Sequence, residues 1–348
     1  MGNLLSYSGL TTKVRAMESH LISDSQFRDM AALETVSDAV EYLRHLKAYE
    51  GLFSDVDDEK LHRGAIEQRL ILSLYQDFAK LYRFSNLTQR KFLDLYFMHF
   101  EIDILKKCFR NAMGRNQLDI DLSVFRDFFF KHSKLDLLKL SSSANLHEFI
   151  ANLEGSIYYD LLIHLEEGAE TTLFDYEVHL DLLYFKTIWK VMSKYLNKKS
   201  QELLIQCFGS KLDLLNIQWI YRSLKYYHLK SADIYALLIP YHYHLKKDQT
   251  SKMVEAGTMD EFFAVLKTTF YGQKADMDVR EKPDLEQLTS EVLDKIYRST
   301  SRQNPYSIAT LNSYLYLKEE EIQKIITLIE SIRYQLKPEE IISYVVKQ

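Results

Sequence analysis

Few residues in this sequence could do chemistry. His99 and Asp103 stand four apart on one helical face and could share a metal ion, while His242 and His244, two apart, would point to different faces of a helix. Two ligands do not make a site, and His99 reads as a partly solvated histidine on a polar helix. Glu166, Glu167 and Glu170 beside Gly168 could supply paired carboxylates for acid–base work. Such work also needs a nucleophile or cofactor pocket that nothing nearby announces, so the cluster reads as a solvated loop. The chain has no Walker loop, GxGxxG run, HExxH pair, GxSxG elbow or CxxC. Its two cysteines, Cys108 and Cys207, are too few for a disulfide framework or a Cys-based zinc site and read as free thiols of a reducing compartment. The sequence implies no catalytic residues, no metal and no cofactor.

The elements that carry these residues are helices. Among 348 residues there are 10 Gly and 4 Pro, with 47% hydrophobic residues, a composition too poor in turn formers for most β architectures. Aromatic residues at 13% and charged residues at 27% with a net charge of −5 exclude disorder. Acids outnumber Lys plus Arg by 49 to 44, which argues against a nucleic-acid binder. The longest uncharged apolar stretch, Tyr235 to Leu245, is half a membrane span, and no signal peptide opens the chain, so a cytoplasmic protein without its own spanning segment is expected. Met1-Gly2-Asn3-Leu4-Leu5-Ser6 matches the myristoylation pattern but lacks the polybasic partner that stable anchoring requires. Phe128-Phe129-Phe130 and Tyr241-His242-Tyr243 read first as packing between helices and second as partner anchors.

An internal repeat organises the chain. Leu95, Ile205 and Leu315 recur at a period of 110, as do Ile102, Leu212 and Ile322, then Leu105, Leu215 and Ile325, then Phe109, Trp219 and Ile329. Within each copy these positions lie 7, 3 and 4 apart, one face of a helix. Three short helices are expected after Thr35, Asn145 and Thr258, each with an acid three residues later, and with Leu43, Leu153 and Leu266 as buried positions. Helices carrying Glu67, Glu177 and Glu286 follow, burying Leu74, Tyr184 and Leu293 and then Phe78, Ile188 and Tyr297. The unit openers lie near Val14, Val124 and Ile234. The period tells against tetratricopeptide, HEAT and armadillo arrays and predicts an all-α protein of three similar modules of about 110 residues. Breaks at Gly114-Arg115-Asn116-Gln117 and near His228 to Ser231 bound them at 1–115, 116–228 and 229–348.

The phrase Phe100-Glu101-Ile102-Asp103-Ile104-Leu105-Lys106-Lys107-Cys108-Phe109-Arg110 has a stronger relative in the last copy. There, Arg302-Gln303-Asn304-Pro305-Tyr306-Ser307-Ile308 followed by Tyr314-Leu315-Tyr316-Leu317-Lys318-Glu319-Glu320-Glu321-Ile322 resembles the C-terminal signature of the C-subunit family of V-type and A-type rotary ATPases, whose eukaryotic members are called d. Tyr7 followed by Lys13-Val14-Arg15-Ala16-Met17-Glu18 resembles that family's start. The resemblance implies a funnel-shaped body with its modules around a pseudo-threefold axis. It implies a non-catalytic adapter, peripheral to the membrane, seated on the membrane rotor ring with the central shaft of the soluble motor in its cavity. Its partners would be shaft and ring subunits, and its task torque transmission in ATP-driven ion transport or ATP synthesis. The family geometry, taken with the repeat, makes polar residues flanking the stripes candidates for the shaft interface: Glu101, Asp103, Lys106, Asp213, Arg222, Glu320 and Arg333. The rival reading is a helical scaffold or regulator that binds a peptide or helix on a concave face.

Overall fold

The computed structural model describes residues 2–54, 62–114, 122–168, 172–275 and 284–346. Among them every regular element is helical and none is a strand. Six helices of 19 to 26 residues form the frame: α1 (Arg63–Phe84), α2 (Leu87–Ala112), α3 (Leu173–Tyr195), α4 (Lys198–Arg222), α5 (Leu285–Gln303) and α6 (Ile308–Arg333). They come as three consecutive pairs. Ser85 and Leu196 take extended backbone and stop the first helix of their pairs, and Asn86 and Asn197 then accept the Gln89 and Ser200 amides to start the second. Asn304 and Pro305 make the third break.

Short helices precede each pair, and their starts lie where the sequence puts them. Thr35, Asn145 and Thr258 cap Val36–Arg44, Leu146–Ala151 and Met259–Thr268 by accepting the amides of Asp38, Glu148 and Glu261. Leu43, Leu153 and Leu266 are buried beneath them. Leu74, Tyr184 and Leu293 are likewise buried on the first long helix of each pair, as are Phe78, Ile188 and Tyr297.

The long second helices need a correction. The outer copies bury their predicted stripe, Leu95, Ile102, Leu105 and Phe109 on α2 and Leu315, Ile322, Ile325 and Ile329 on α6. On α4 the period of 110 selects Ile205, Leu212, Leu215 and Trp219, of which only Leu212 is buried. Leu214, Ile217 and Ile220 are fully buried instead. The middle helix is therefore shifted by two residues, so that Leu105, Ile217 and Ile325, all at 0% exposure, are the matching core positions.

The chain packs as two compact units, Met1–Val14 with Asn197–Glu320 and Arg15–Leu196 with Glu321–Val346. This division cuts across the expected modules, and α6 gives its first half to one unit and its second half to the other. In the first unit α4 packs on α5; in the second α2 packs on α3 and on α1. Of the expected breaks, Gly114 and His228 both take left-handed backbone, at φ 67° and 49°, whereas Arg115 to Gln117 fall outside the described residues. His242 and His244 lie in a loop between the helices Ser231–Leu237 and Lys247–Val254, not on a helix.

The corrected register has an energetic consequence. Ile217→Ala should destabilise the chain by about 2–5 kcal/mol, as truncation of a fully buried side chain does. Leu215→Ala, at a partly exposed position, should cost clearly less in the same denaturant titration. A loss at Leu215 equal to that at Ile217 would contradict the shift.

Candidate functional site

Midway along each second long helix sits a carboxylate with the same surroundings. Glu101 on α2 accepts hydrogen bonds from Tyr158 Oη at 2.7 Å and from Ser133 Oγ, which itself accepts the Leu135 amide at 3.0 Å. Asp213 on α4, wholly buried, accepts from Tyr271 Oη at 2.6 Å and from the amides of Tyr243, His244 and Leu245 at 3.1, 2.7 and 2.9 Å. Glu321 on α6 accepts from Tyr49 Oη and from the Ile22 amide, each at 2.5 Å. The three acids are 112 and 108 residues apart and the three tyrosines 109 and 113 apart. Each acid thus fastens two points of the short-helix segment that follows it in the sequence, and the third reaches back to the first. One point lies just ahead of a helix N-cap (Ile22 before Ser23, Leu245 before Lys246, and Ser133 three residues before Asp136), the other is a tyrosine that follows the capped short helix Val36–Arg44, Leu146–Ala151 or Met259–Thr268.

The electrostatics follow from burial. Burial raises the Glu101 carboxyl above its ordinary range, against the opposing hydrogen bonds from Ser133 and Tyr158. Burial first, and then the neighbouring carboxylate, pushes the Tyr158 and Tyr271 phenols far up, so both remain donors. Gly272 serves the middle latch: a Cβ there would lie 2.1 Å from the Leu266 carbonyl oxygen, so only glycine lets the turn after Tyr271 press onto that backbone.

A second contact recurs nearer the C-terminal end of the same helices. Arg110 on α2 grips Glu177 on α3 with Nε at 2.7 Å and a second nitrogen at 3.0 Å. Arg222 on α4 pairs with Glu286 on α5. The third contact has its signs exchanged, with Glu330 on α6 lying 3.9 Å from Arg63 on α1, whose Nε also holds Glu67 at 2.7 Å.

The candidate interface residues divide sharply. Asp213 spends its oxygens inside its unit and cannot meet a partner's side chain without unfolding the latch, and the two oxygens of the half-buried Glu101 are taken by Tyr158 and Ser133. Lys106 is mostly covered and bonded to Asp181 at 2.6 Å. Glu320 accepts from Ser290 Oγ at 2.5 Å, and Arg333 lies 3.1 Å from Glu330. Asp103 and Arg222, at 49% and 50% exposure, stand most open to solvent. Sequence reasoning overlooked Tyr49, Tyr158, Tyr271 and Glu321, whose near-regular spacing was the available signal.

The remaining chemical candidates are ordinary packing. His99 stacks on Tyr184 and lies 3.6 Å from Asp103, and among the described residues no group of three or more His, Cys, Asp or Glu side chains could hold a metal ion. Glu166 pairs with His147, Glu167 is exposed, and Glu170 lies outside the described residues. Burial pushes the Cys108 and Cys207 thiols up to about 12, which makes them poor nucleophiles. Phe128 stacks on Tyr75 and Phe129 is buried, while Phe130 is exposed.

Two measurements check the latches. Tyr271→Phe removes one donor to a buried carboxylate and should cost about 1.5–3 kcal/mol, while Tyr227→Phe, at an exposed site, should be neutral. Because the folded pKa of Glu101 is raised, its contribution is fully present below the unfolded pKa and is lost as pH rises through the folded value. Glu101→Gln should flatten that segment of the stability–pH curve, just above the ordinary carboxylate range. An unchanged slope would contradict the assigned burial.

The chain matches the family described as ATP synthase (C/AC39) subunit over residues 10–344. It is similar to the C subunit of the A-type ATP synthase of Thermococcus kodakarensis, 24% identical over 348 residues that cover 97% of this chain and 90% of that protein. The corresponding Pyrococcus horikoshii protein is 26% identical over 96% of this chain and 89% of its own length. That of Methanocaldococcus jannaschii is 20% identical over 99% and 87%. No helix among the described residues is long and apolar enough to cross a membrane. With the match running through all six long helices and all three latches, the chain belongs to the ATP synthase (C/AC39) subunit family.

Proposed function

We propose that this protein is a non-catalytic central-stalk rotor subunit of a V/A-type ATPase, a socket that joins the soluble central shaft to the membrane rotor ring and carries torque between them. The observation that carries the reading is the near end-to-end match to relatives named as C subunits of A-type ATP synthases. The thrice-recurring latch supports three similar modules, 1–115, 116–228 and 229–348; a funnel about a pseudo-threefold axis, working in the cytoplasm at the membrane surface, is what the family reading adds. Torque transmission needs a part that resists shear. Long helices joined by buried ionic latches and by cross-helix ion pairs supply that resistance better than flexible linkers would.

Asp103, Arg222, Glu320 and Arg333 remain the interface candidates on the shaft side, with Asp103 and Arg222 first because they are the most exposed. Mixed charge suits such a contact, since interfacial charge pairs fix register and partner choice more reliably than raw affinity. Asp103→Lys combined with Arg222→Ala, which gives up only the solvent-exposed pair with Glu286, should leave the fold intact, weaken shaft binding by roughly tenfold or more, and lower ion transport relative to ATP hydrolysis in the assembled motor. Unchanged shaft affinity with full coupling would place the contact elsewhere.

A further inference from the structure

One end of the second unit differs from the rest of this acidic chain. The last turns of α1, the first turns of α2 and the last turns of α3 meet there, because α2 and α3 run antiparallel, with Arg110 against Glu177 at one end and Lys91 over Tyr195 at the other. Across residues 77–94 and 186–195 there are seven Lys and Arg and two acids, in a protein whose net charge is −5. Both acids are engaged locally: Asp77 holds Lys80 at 3.0 Å, and Asp94 accepts from Tyr82 Oη at 2.9 Å and lies 3.9 Å from Lys91. Lys186, Lys190 and Lys194 recur every fourth residue and form an exposed stripe on α3.

Large apolar side chains stand among these cations. Leu87 is 80% exposed, Phe84 58% and Tyr195 42%. The Lys91 and Lys194 ammonium groups lie 5.7 and 5.2 Å from the Tyr195 ring centre, and Arg90 lies 5.1 Å from that of Tyr82. Arg90 is half-buried and donates from Nε to the Tyr82 carbonyl oxygen at 3.1 Å, which leaves Lys91, Lys186, Lys190 and Lys194 as the exposed cations of α2 and α3 at this end. Arg90 and Lys91 sit in the first turns of α2, where the helix dipole favours anions, and that helix has no acid in its first turn. The exposed aromatic also recurs: Phe84, Tyr195 and Tyr306 are spaced by 111 and all three are exposed.

We propose that this end of the second unit binds the anionic headgroup surface of a lipid bilayer. Its cations would sit over lipid phosphates, and Phe84, Leu87 and Tyr195 would enter the interfacial layer. The side chains project from helix ends, so they suit a surface they can penetrate. Lys and Arg carry their charge on long apolar stems, and Tyr joins an apolar ring to a polar tip, a combination fitted to the boundary between phosphate and hydrocarbon.

The test is co-sedimentation of the 348-residue chain with vesicles of mixed phosphatidylglycerol and phosphatidylcholine, and with pure phosphatidylcholine. Binding should be confined to the anionic vesicles and should weaken as salt rises. Lys91→Glu with Lys194→Glu should reduce partitioning by roughly tenfold or more, and Phe84→Ser with Leu87→Ser should reduce it at unchanged charge. Both variants alter exposed positions and should keep the parent's melting temperature; Lys252→Glu, on an exposed lysine of the other unit, should bind as the parent does. Absence of binding to anionic vesicles, equal binding to neutral ones, or parent-like binding by the folded variants would overturn the proposal. So would binding to polyglutamate without binding to vesicles, which would make the partner an acidic protein.

Discussion

A carboxylate sealed inside a helical core is unstable unless its charge is met by donors fixed in place. This chain meets that condition at Asp213 and Glu321, which are buried, and repeats the arrangement at the half-buried Glu101. In each case a tyrosine hydroxyl supplies one donor, and the segment entering a short helix supplies the rest. Because the donors come from segments distant in sequence, the latch specifies which short helices lie against which long helix, and in which register. The two-residue shift of α4 relative to its outer counterparts follows from it: the position that matches Glu101 is Asp213, and the residues that match Ile102 and Leu105 are then Leu214 and Ile217, not Leu212 and Leu215. An apolar contact at the same place would tolerate sliding, whereas a buried ion bonded to several donors does not.

The ion pairs farther along the same helices show how much freedom remains once register is fixed. Arg110–Glu177 and Arg222–Glu286 keep one polarity, and Glu330 with Arg63 reverses it. Partly exposed pairs contribute modestly to stability, so their signs can be exchanged provided both partners change together. The buried latch permits no such exchange, because its partners are neutral donors and the carboxylate alone carries the charge. The two contacts therefore do different work, the latch setting the fold and the ion pair adding cross-helix stiffness near the helix end.

What could be read from the sequence depended on how local the cause was. Thr35, Asn145 and Thr258 cap their own helices through amides three residues away, and all three starts lie where capping chemistry puts them. The buried faces of α1, α3 and α5 were legible for the same reason. On α4, leucine and isoleucine occur on several faces, so periodicity alone admits more than one register; burial settled it through residues 23 to 58 positions away. Glu101 and Asp213 were misplaced for a related reason. An acid beside an apolar stripe looks like the rim of a solvated face until the short helices fold over it. Asp103, two residues from Glu101, does face solvent, and the sequence offers no local difference between the two.

The fold stands on the latches being energetic couplings between their partners rather than incidental contacts. Double-mutant cycles measured by denaturant unfolding test this directly, pairing Tyr49→Phe with Glu321→Gln, Tyr158→Phe with Glu101→Gln, and Tyr271→Phe with Asp213→Asn. A favourable coupling of about 1–3 kcal/mol is predicted at each of the three sites. Additive effects within about 0.5 kcal/mol at all three would contradict it.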